Sequence, residues 1–431
     1  MAAKYNQSIS IEAKLSLHHA TKLSHGTGGG FYNPNMTLGR DLAVLAAVEQ
    51  FHLLSPVLPA RPMRLLDAFS GVGALALRWA SALASSPSSP SSPSSSPPQA
   101  HINTIKQVHI TANDRSPTCQ EFIRTNVEKN TSDHCLVANV IVTGEDVNVL
   151  LSRDAIAPNR RPFDFVHLDP FGCVVPYLDS VFRCLPGGAV LSFTATDVSA
   201  VYDRRYKHVA KRHYGVDLHD PRNSNTFRET AVRTVLSAVA SAAARQDKGI
   251  RVLLSCAVEH FILIQVLVVR GSSHSDKTVN HVRMHENEGP LWMGPLGSTE
   301  WLTRLLAHAE SVRLGCSHKK VVKLLSTLLT ETKNPEMDDA YYSTPLQSIA
   351  AQLNLKEIPR LKAVVKELLQ HGVSASATHF DRTAIKMVGE REEIVAAVKR
   401  VVEANRLMKE KGEWKEKERG GEDDDNGNNK T

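Results

Sequence analysis

The chain has 431 residues, 42% of them hydrophobic and 22% charged, which is room for two or three domains with sizeable cores. Its longest apolar stretch, 261–269, falls far short of the roughly 20 residues that a bilayer-crossing helix needs, so no membrane span is expected. Six cysteines lie scattered with no C-x-x-C pair, which argues against a disulfide framework and against a cysteine-built zinc centre, and fits a reducing compartment. The net charge is +6, and because the tail from Lys409 holds more acids than bases, the remainder is more basic still. Such a surface permits a polyanionic partner without requiring one. Lys4, Lys14 and Lys22 with several serines precede the first arginine, Arg40, and this pattern leaves the compartment open between nucleus, cytosol and organelle.

After an N-terminal segment, 1–30, the elements of a first domain run over 31–288. Short apolar runs at 64–69 and 107–114 carry acids at their ends, Asp67 and Asp114, as buried strands often do. Between them, 85–98 consists only of serine and proline and cannot bury apolar surface, so 84–100 is expected to be a disordered insert between neighbouring strands. Further strand-like runs follow at 137–142, 163–168, 189–193 and 251–254, with helix-like segments such as 227–244 in the gaps. That alternation predicts a mainly parallel α/β sheet. The run 261–269 follows 251–254 too closely for a helical crossover, so the two should pair antiparallel at one edge, as in a Rossmann-like class I methyltransferase sheet. Beyond Gly289 the pattern turns helical, at 299–311, 318–329 and 358–370, and a smaller α+β C-terminal domain is assigned to 289–408. The charged and then Gly/Asp/Asn-rich stretch 409–431 reads as a disordered tail.

Asp67-Ala68-Phe69-Ser70-Gly71-Val72-Gly73 sits where a strand ends and a helix begins, and Ser70, Gly71 and Gly73 are small enough for backbone amides to approach a ligand. A dinucleotide loop would look similar but carries a third glycine that is missing here. Asp114 ends the next strand, where a carboxylate can accept both ribose hydroxyls of an adenosine, and Asp146 follows the third strand within reach of an adenine amine. Three strand-end acids suit S-adenosylmethionine, which offers hydroxyl and amine donors and no phosphate; the alternative is that they cap the following helices. The fourth strand ends in His167-Leu168-Asp169-Pro170-Phe171-Gly172. An exocyclic amine is a poor nucleophile because its lone pair is delocalised into the base. The Asp169 carboxylate and Pro170 carbonyl can accept its N–H protons and aim the nitrogen, while Phe171 stacks on the ring. A carboxylate also matches the parallel N1–H and N2–H donors of guanine. The plain alternative is a proline turn that closes a strand.

Phe31-Tyr32-Asn33-Pro34-Asn35-Met36 with Gly39-Arg40-Asp41-Leu42, the Asp169 turn, Thr194-Ala195-Thr196-Asp197, Gly289-Pro290-Leu291-Trp292-Met293-Gly294-Pro295-Leu296 and Thr378-His379-Phe380-Asp381 occur in this order along nearly the whole chain. In this the chain resembles the tRNA guanine-26 N2-dimethyltransferases. The resemblance implies a class I methyltransferase domain followed by a tRNA-binding C-terminal domain. It also implies that Arg40, Arg78, Asp114, and Asp146 with Val147 contact S-adenosylmethionine, that Asp169 is the catalytic acceptor, and that Phe31 and Phe171 clamp a flipped guanine. Without it, Arg40 reads equally as an ion pair with Asp41 or a neighbour. Lys319, Lys320 and Lys323, and Arg360, Lys362 and Lys366, would grip the tRNA backbone, or else line solvated helix faces. The chain departs from the family pattern at Gly39, Leu75, Cys173, Ser374 and Ala377. The expected partner is tRNA, with no zinc, no membrane and a monomeric state. Methylation of another RNA base or position, or non-catalytic tRNA binding, are the alternatives.

Overall fold

The computed structural model describes residues 7–13, 15–20, 30, 32–56, 61–85, 108–132, 139–158, 161–218, 227–258, 260–285, 288–311, 317–333 and 343–410. The chain divides into two compact units, 1–332 and 333–431. Among the described residues no helix is long and apolar enough to cross a membrane.

The first unit opens with a hairpin of β1 (Gln7–Glu12) and β2 (Leu15–Ala20). Its sheet is built from β3 (Met63–Asp67), β4 (Val108–Asn113), β5 (Asn139–Thr143), β6 (Phe165–Leu168), β7 (Val190–Ala195), β8 (Lys248–Val258) and β9 (Phe261–Arg270) in the order β5-β4-β3-β6-β7-β9-β8. Strands β5 through β7 run parallel, and β9 pairs antiparallel with both β7 and β8. This is the predicted sheet with its edge hairpin. The central strands β6 and β7 are buried along their whole length, which is why they read as unbroken apolar runs rather than alternating ones. One face packs Leu65, Ile110, Phe165, Val190 and Leu263 against helices Thr37–Leu54 and Ala74–Ser85. Helices Val147–Ile156, Val175–Cys184 and Phe227–Ala244 form another packed layer.

Two boundaries differ from those drawn on the sequence. The N-terminal segment is part of the first unit, because Leu15 and Leu17 are buried in its core and Asn126 brackets the backbone of His18 through both its N–H (2.7 Å) and its carbonyl (3.0 Å). At the other end the first unit continues past residue 288. Arg233 donates to the Trp292 carbonyl (2.9 Å), Ser255 Oγ to the Leu296 carbonyl (2.6 Å), and Trp301, Leu305, Val321 and Leu325 join the core beneath helix Thr37–Leu54. The motif 289–296, with β10 (Val282–His285) pairing β11 (Glu288–Trp292), therefore lies within the first unit rather than opening the second.

The second unit is a small α+β body. Strands β12 (Ser343–Pro345), β13 (Ala375–Ala377) and β14 (Ala384–Met387) form an antiparallel sheet in the order β12-β14-β13. Ile385 packs there with Val364, Leu368, Ile394 and Val398 from helices Leu361–Gln370 and Arg391–Glu410. Arg360, Lys362 and Lys366 are exposed on this unit, while Lys319, Lys320 and Lys323 are exposed on helix His318–Thr332 of the first. Helix Ala74–Ser85 runs two residues into the insert expected at 84–100, and helix Arg391–Glu410 two residues into the tail expected at 409–431; the remainder of each, 86–100 and 411–431, lies outside the described residues.

Candidate active site

Parallel strands bring their carboxyl ends to one edge, and the reversal of strand order between β3 and its neighbours β4 and β6 opens a crevice there. Asp67, Asp114, Asp146 and Asp169 stand at the ends of β3, β4, β5 and β6 respectively. Asn113 ties three of these ends together. Fully buried, it donates to the carbonyls of Ala68 (3.1 Å) and Glu145 (3.0 Å) and accepts from Thr143 Oγ1 (2.9 Å) and the Glu145 N–H (3.0 Å).

In the glycine loop, Ser70 Oγ donates to Asp67 (2.7 Å), and the Gly71 N–H donates to Asp114 Oδ2 (2.9 Å), whose other oxygen accepts from the Ser116 N–H (2.9 Å). Gly73 has φ +84°, which a side chain would strain, and a Cβ there would press on Ile123 at 3.3 Å. Leu75, where the family pattern differs, is buried in the core. Asp146 is exposed and caps helix Val147–Ile156, accepting through Oδ1 from the Asn148 (2.9 Å) and Val149 (3.4 Å) N–H groups, a cap that uses one carboxylate oxygen and does not engage Oδ2. Val147 is buried beneath it.

Burial pushes the Asp67 carboxyl up to about 7, helped by the negative charges of Asp169 and Asp114. A carboxyl raised in the folded state stays protonated there while the unfolded chain has already ionised, so its contribution to stability falls as pH rises from about 4 to about 7. With about three units between the two states, the loss is roughly 4 kcal/mol. Asp67→Asn should flatten the decline; parallel urea titrations of both proteins over this range measure it, and an equal slope in the variant would contradict the assignment.

At the β6 end, Thr194 Oγ1 donates to Asp169 Oδ1, which fixes the carboxylate plane. Pro170 is buried, whereas Phe171 is 98% exposed. The turn behind it is clamped twice by Thr196, whose Oγ1 accepts from the Gly172 N–H (2.8 Å) and whose N–H donates to the Gly172 carbonyl (3.1 Å). Gly172 sits at φ +91°, a conformation that a side chain would strain. His167, one residue before the strand end, is no rival base. Burial pushes it down to about 4, so it stays neutral beside Ser192 Oγ (3.0 Å).

Sequence reasoning missed the group that holds the arginines. Glu12, at the end of β1 and 1% exposed, accepts from the Tyr32 hydroxyl, from Arg40 Nε (2.9 Å) and Nη2 (2.7 Å), and from Arg78 Nη1 (2.9 Å). Arg78 Nη2 is bonded to Asp41, so both terminal nitrogens of this 3%-exposed side chain are spent on carboxylates. Arg78 thus lies behind the site, and the Arg40–Asp41 pair weighed on the sequence is replaced by Arg40–Glu12 and Arg78–Asp41. Burial pushes Glu12 up, but Arg40, Arg78 and Tyr32 outweigh it and hold the carboxyl below its usual range. Burial also opposes the Arg40 charge, and Glu12, Tyr32 and Asp169 overcome it. Asn33 locates this arginine, since its carbonyl accepts from Nη2 (3.0 Å) while its side chain caps the turn at Pro34–Met36. Phe31 lies outside the described residues.

A family model described as N2,N2-dimethylguanosine tRNA methyltransferase matches residues 100–287 and 279–399. The chain belongs to the N2,N2-dimethylguanosine tRNA methyltransferase family. A tRNA (guanine(27)-N(2))-dimethyltransferase of Bos taurus is 31% identical over 374 residues, covering 76% of this chain and 45% of the relative. A tRNA (guanine(26)-N(2))-dimethyltransferase of Methanobrevibacter smithii is 27% identical over 407 residues, covering 87% of this chain and 92% of the relative. Trm1 from Pyrococcus horikoshii, solved with S-adenosyl-L-methionine, superposes with a TM-score of 0.71 at 22% identity over 91% of this chain and 99% of that one, which establishes the shared fold. The chain spans less than half the length of the mammalian relatives it matches.

Proposed function

We propose that the chain transfers methyl groups from S-adenosylmethionine to the exocyclic N2 of a guanine in tRNA, giving N2-methyl- and then N2,N2-dimethylguanosine. The observation that carries this reading is Phe171, an aromatic ring 98% exposed beside a carboxylate that Thr194 holds in place. A folded domain gains nothing by leaving such a ring bare, whereas an extruded base needs an aromatic face to replace the stacking it loses. The edge also fits the cofactor. Asp114 and Asp146 present acceptors for ribose hydroxyls and an amine, and Arg40, whose Nε and Nη2 are taken by Glu12, has no hydrogen bond at Nη1 among the described residues and can offer it to a carboxylate. Bound there, S-adenosylmethionine supplies an electrophilic methyl group on a sulfonium.

The chain's own residues do the rest. Asp169 and the Pro170 carbonyl accept the guanine N–H protons, which draws the N2 lone pair out of conjugation and points it along the transfer direction. As the nitrogen gains its methyl group it becomes acidic, and Asp169 takes the proton and passes it to solvent. A second transfer requires the site to accept the N2-monomethyl guanine again. Glu12 and Arg78 act indirectly, by holding Arg40. The exposed Lys319, Lys320 and Lys323, and Arg360, Lys362 and Lys366, supply phosphate contacts that fix the tRNA register. The archaeal relatives carry position 26 in their names and the mammalian ones position 27; we favour guanine-26, in line with the relative that this chain matches over nearly its full length.

Phe171→Ala tests the reading. Loss of one stacking face, worth about 1–3 kcal/mol per base, should raise KM for tRNA and lower kcat, with kcat/KM falling roughly 5- to 150-fold and S-adenosylmethionine affinity unchanged. Steady-state kinetics with equilibrium cofactor binding would show it, and an unaltered kcat/KM would remove the stacking claim.

A further inference from the structure

Behind the Phe171 turn lies a group of side chains that the methyl-transfer chemistry does not use. Cys173 follows the turn, Asp197 follows β7, and His213 projects from helix Lys207–Tyr214. One donor atom from each lies within 4.8 Å of the other two, and among the described residues this is the one cluster of three or more such ligands. His213 Nδ1 stands 3.2 Å from Asp197 Oδ2, while the Tyr214 hydroxyl donates to Asp197 Oδ1 (2.7 Å). All three side chains are partly buried, so they are fixed yet reachable from solvent.

We propose that Cys173, Asp197 and His213 form a binding site for a zinc-class divalent ion, with the fourth coordination position open. Tetrahedral zinc with bonds of about 2.0–2.3 Å separates its ligands by roughly 3.5 Å, so donors that lie within 4.8 Å of one another need to close by about 1.3 Å at most. Sulfur, imidazole and carboxylate together select zinc over magnesium or calcium, which demand oxygen ligands. Tyr214 serves as the outer partner that such carboxylates use: it holds Oδ1 and leaves Oδ2 for the ion. Binding expels the thiol proton and replaces the His213–Asp197 hydrogen bond, so affinity rises with pH. The ion would tie the segment carrying Phe171 to the segment carrying Thr196, and so restrain the ring that meets the base. The sequence hides this site because its ligands are far apart along the chain and no C-x-x-C pair announces them.

Cobalt(II) titration of the chelator-treated full chain tests the proposal without tRNA or S-adenosylmethionine, so it stands or falls separately from the methyl-transfer reading. The expected result is one equivalent of cobalt with a sulfur-to-metal charge-transfer band in the near ultraviolet and tetrahedral d–d bands in the visible. Cys173→Ser should lose the charge-transfer band, and His213→Gln should weaken affinity by at least about 10- to 100-fold. Absence of the band at one equivalent, or its survival in Cys173→Ser, would overturn the site. Should that variant fail to fold, zinc protection of Cys173 from alkylation in the unaltered chain, read by peptide mass spectrometry, replaces it; equal labelling with and without zinc would be equally fatal.

Discussion

Asp169→Ala should lower the rate of methyl transfer by about 100- to 10,000-fold while S-adenosylmethionine affinity stays within a few-fold. The reason is positional. Asp169 stands at the end of β6 with Oδ1 held by Thr194, facing the space that Phe171 bounds, and the groups that fit the cofactor lie on the neighbouring strand ends β3, β4 and β5. The carboxylate has two tasks, accepting the guanine N–H protons and taking the proton released as the new N–C bond forms. Asp169→Asn separates them, because an amide oxygen can still orient a donor but cannot carry the proton away, so its rate should approach that of the alanine variant rather than the parent enzyme. Single-turnover rates under saturating tRNA, alongside equilibrium cofactor binding, distinguish the cases. Rates within a few-fold of the parent would sink the role given to Asp169.

Glu12→Ala is expected to destabilise the chain by about 3–5 kcal/mol, the size associated with removing one partner from a buried ionic network. Glu12 and Arg78 are both almost inaccessible to water, and the carboxylate accepts from Tyr32, Arg40 and Arg78 at once. Its loss leaves Arg78 with Asp41 alone and Arg40 with the Asn33 carbonyl and the Thr37 hydroxyl, while the charge of each guanidinium remains buried. Glu12→Gln keeps the shape and one acceptor and should cost less. Urea unfolding at neutral pH measures both, and a loss under about 1 kcal/mol in Glu12→Ala would show that the network is not the anchor described. Because Glu12 fixes Arg40, the alanine variant should also bind S-adenosylmethionine more weakly.

The sheet was legible because a parallel strand buried on both faces leaves an unbroken apolar run, as 165–168 and 190–195 do, and because 251–254 and 261–269 stand too close together for anything but a hairpin. Helix Phe227–Ala244 has the bounds that its pattern predicted, and Asp169 stands at a strand end as its turn required. What escaped the reading depends on contacts made at long range. Glu12 is a lone acid among lysines, and nothing local marks it as the partner of arginines 28 and 66 residues away. The alternation of Ile9 and Ile11 with polar residues, answered by Leu15 and Leu17, was the available sign of its hairpin. The boundary after residue 288 failed for a related reason. A shift to helical periodicity does not reveal that Arg233 and Ser255 fasten 292–296 to the first unit, or that Trp301 and Leu305 fill the core beneath helix Thr37–Leu54.

Methyl transfer to guanine N2 is tested by incubating the purified chain with an unmodified tRNA transcript and S-adenosylmethionine, digesting the product to nucleosides and identifying methylated species by mass spectrometry. The expected products are N2-methylguanosine early and N2,N2-dimethylguanosine at completion, both absent when the acceptor guanine is replaced in the transcript. Methylation of adenosine, or no methylated nucleoside from a chain that binds both S-adenosylmethionine and tRNA, would contradict it.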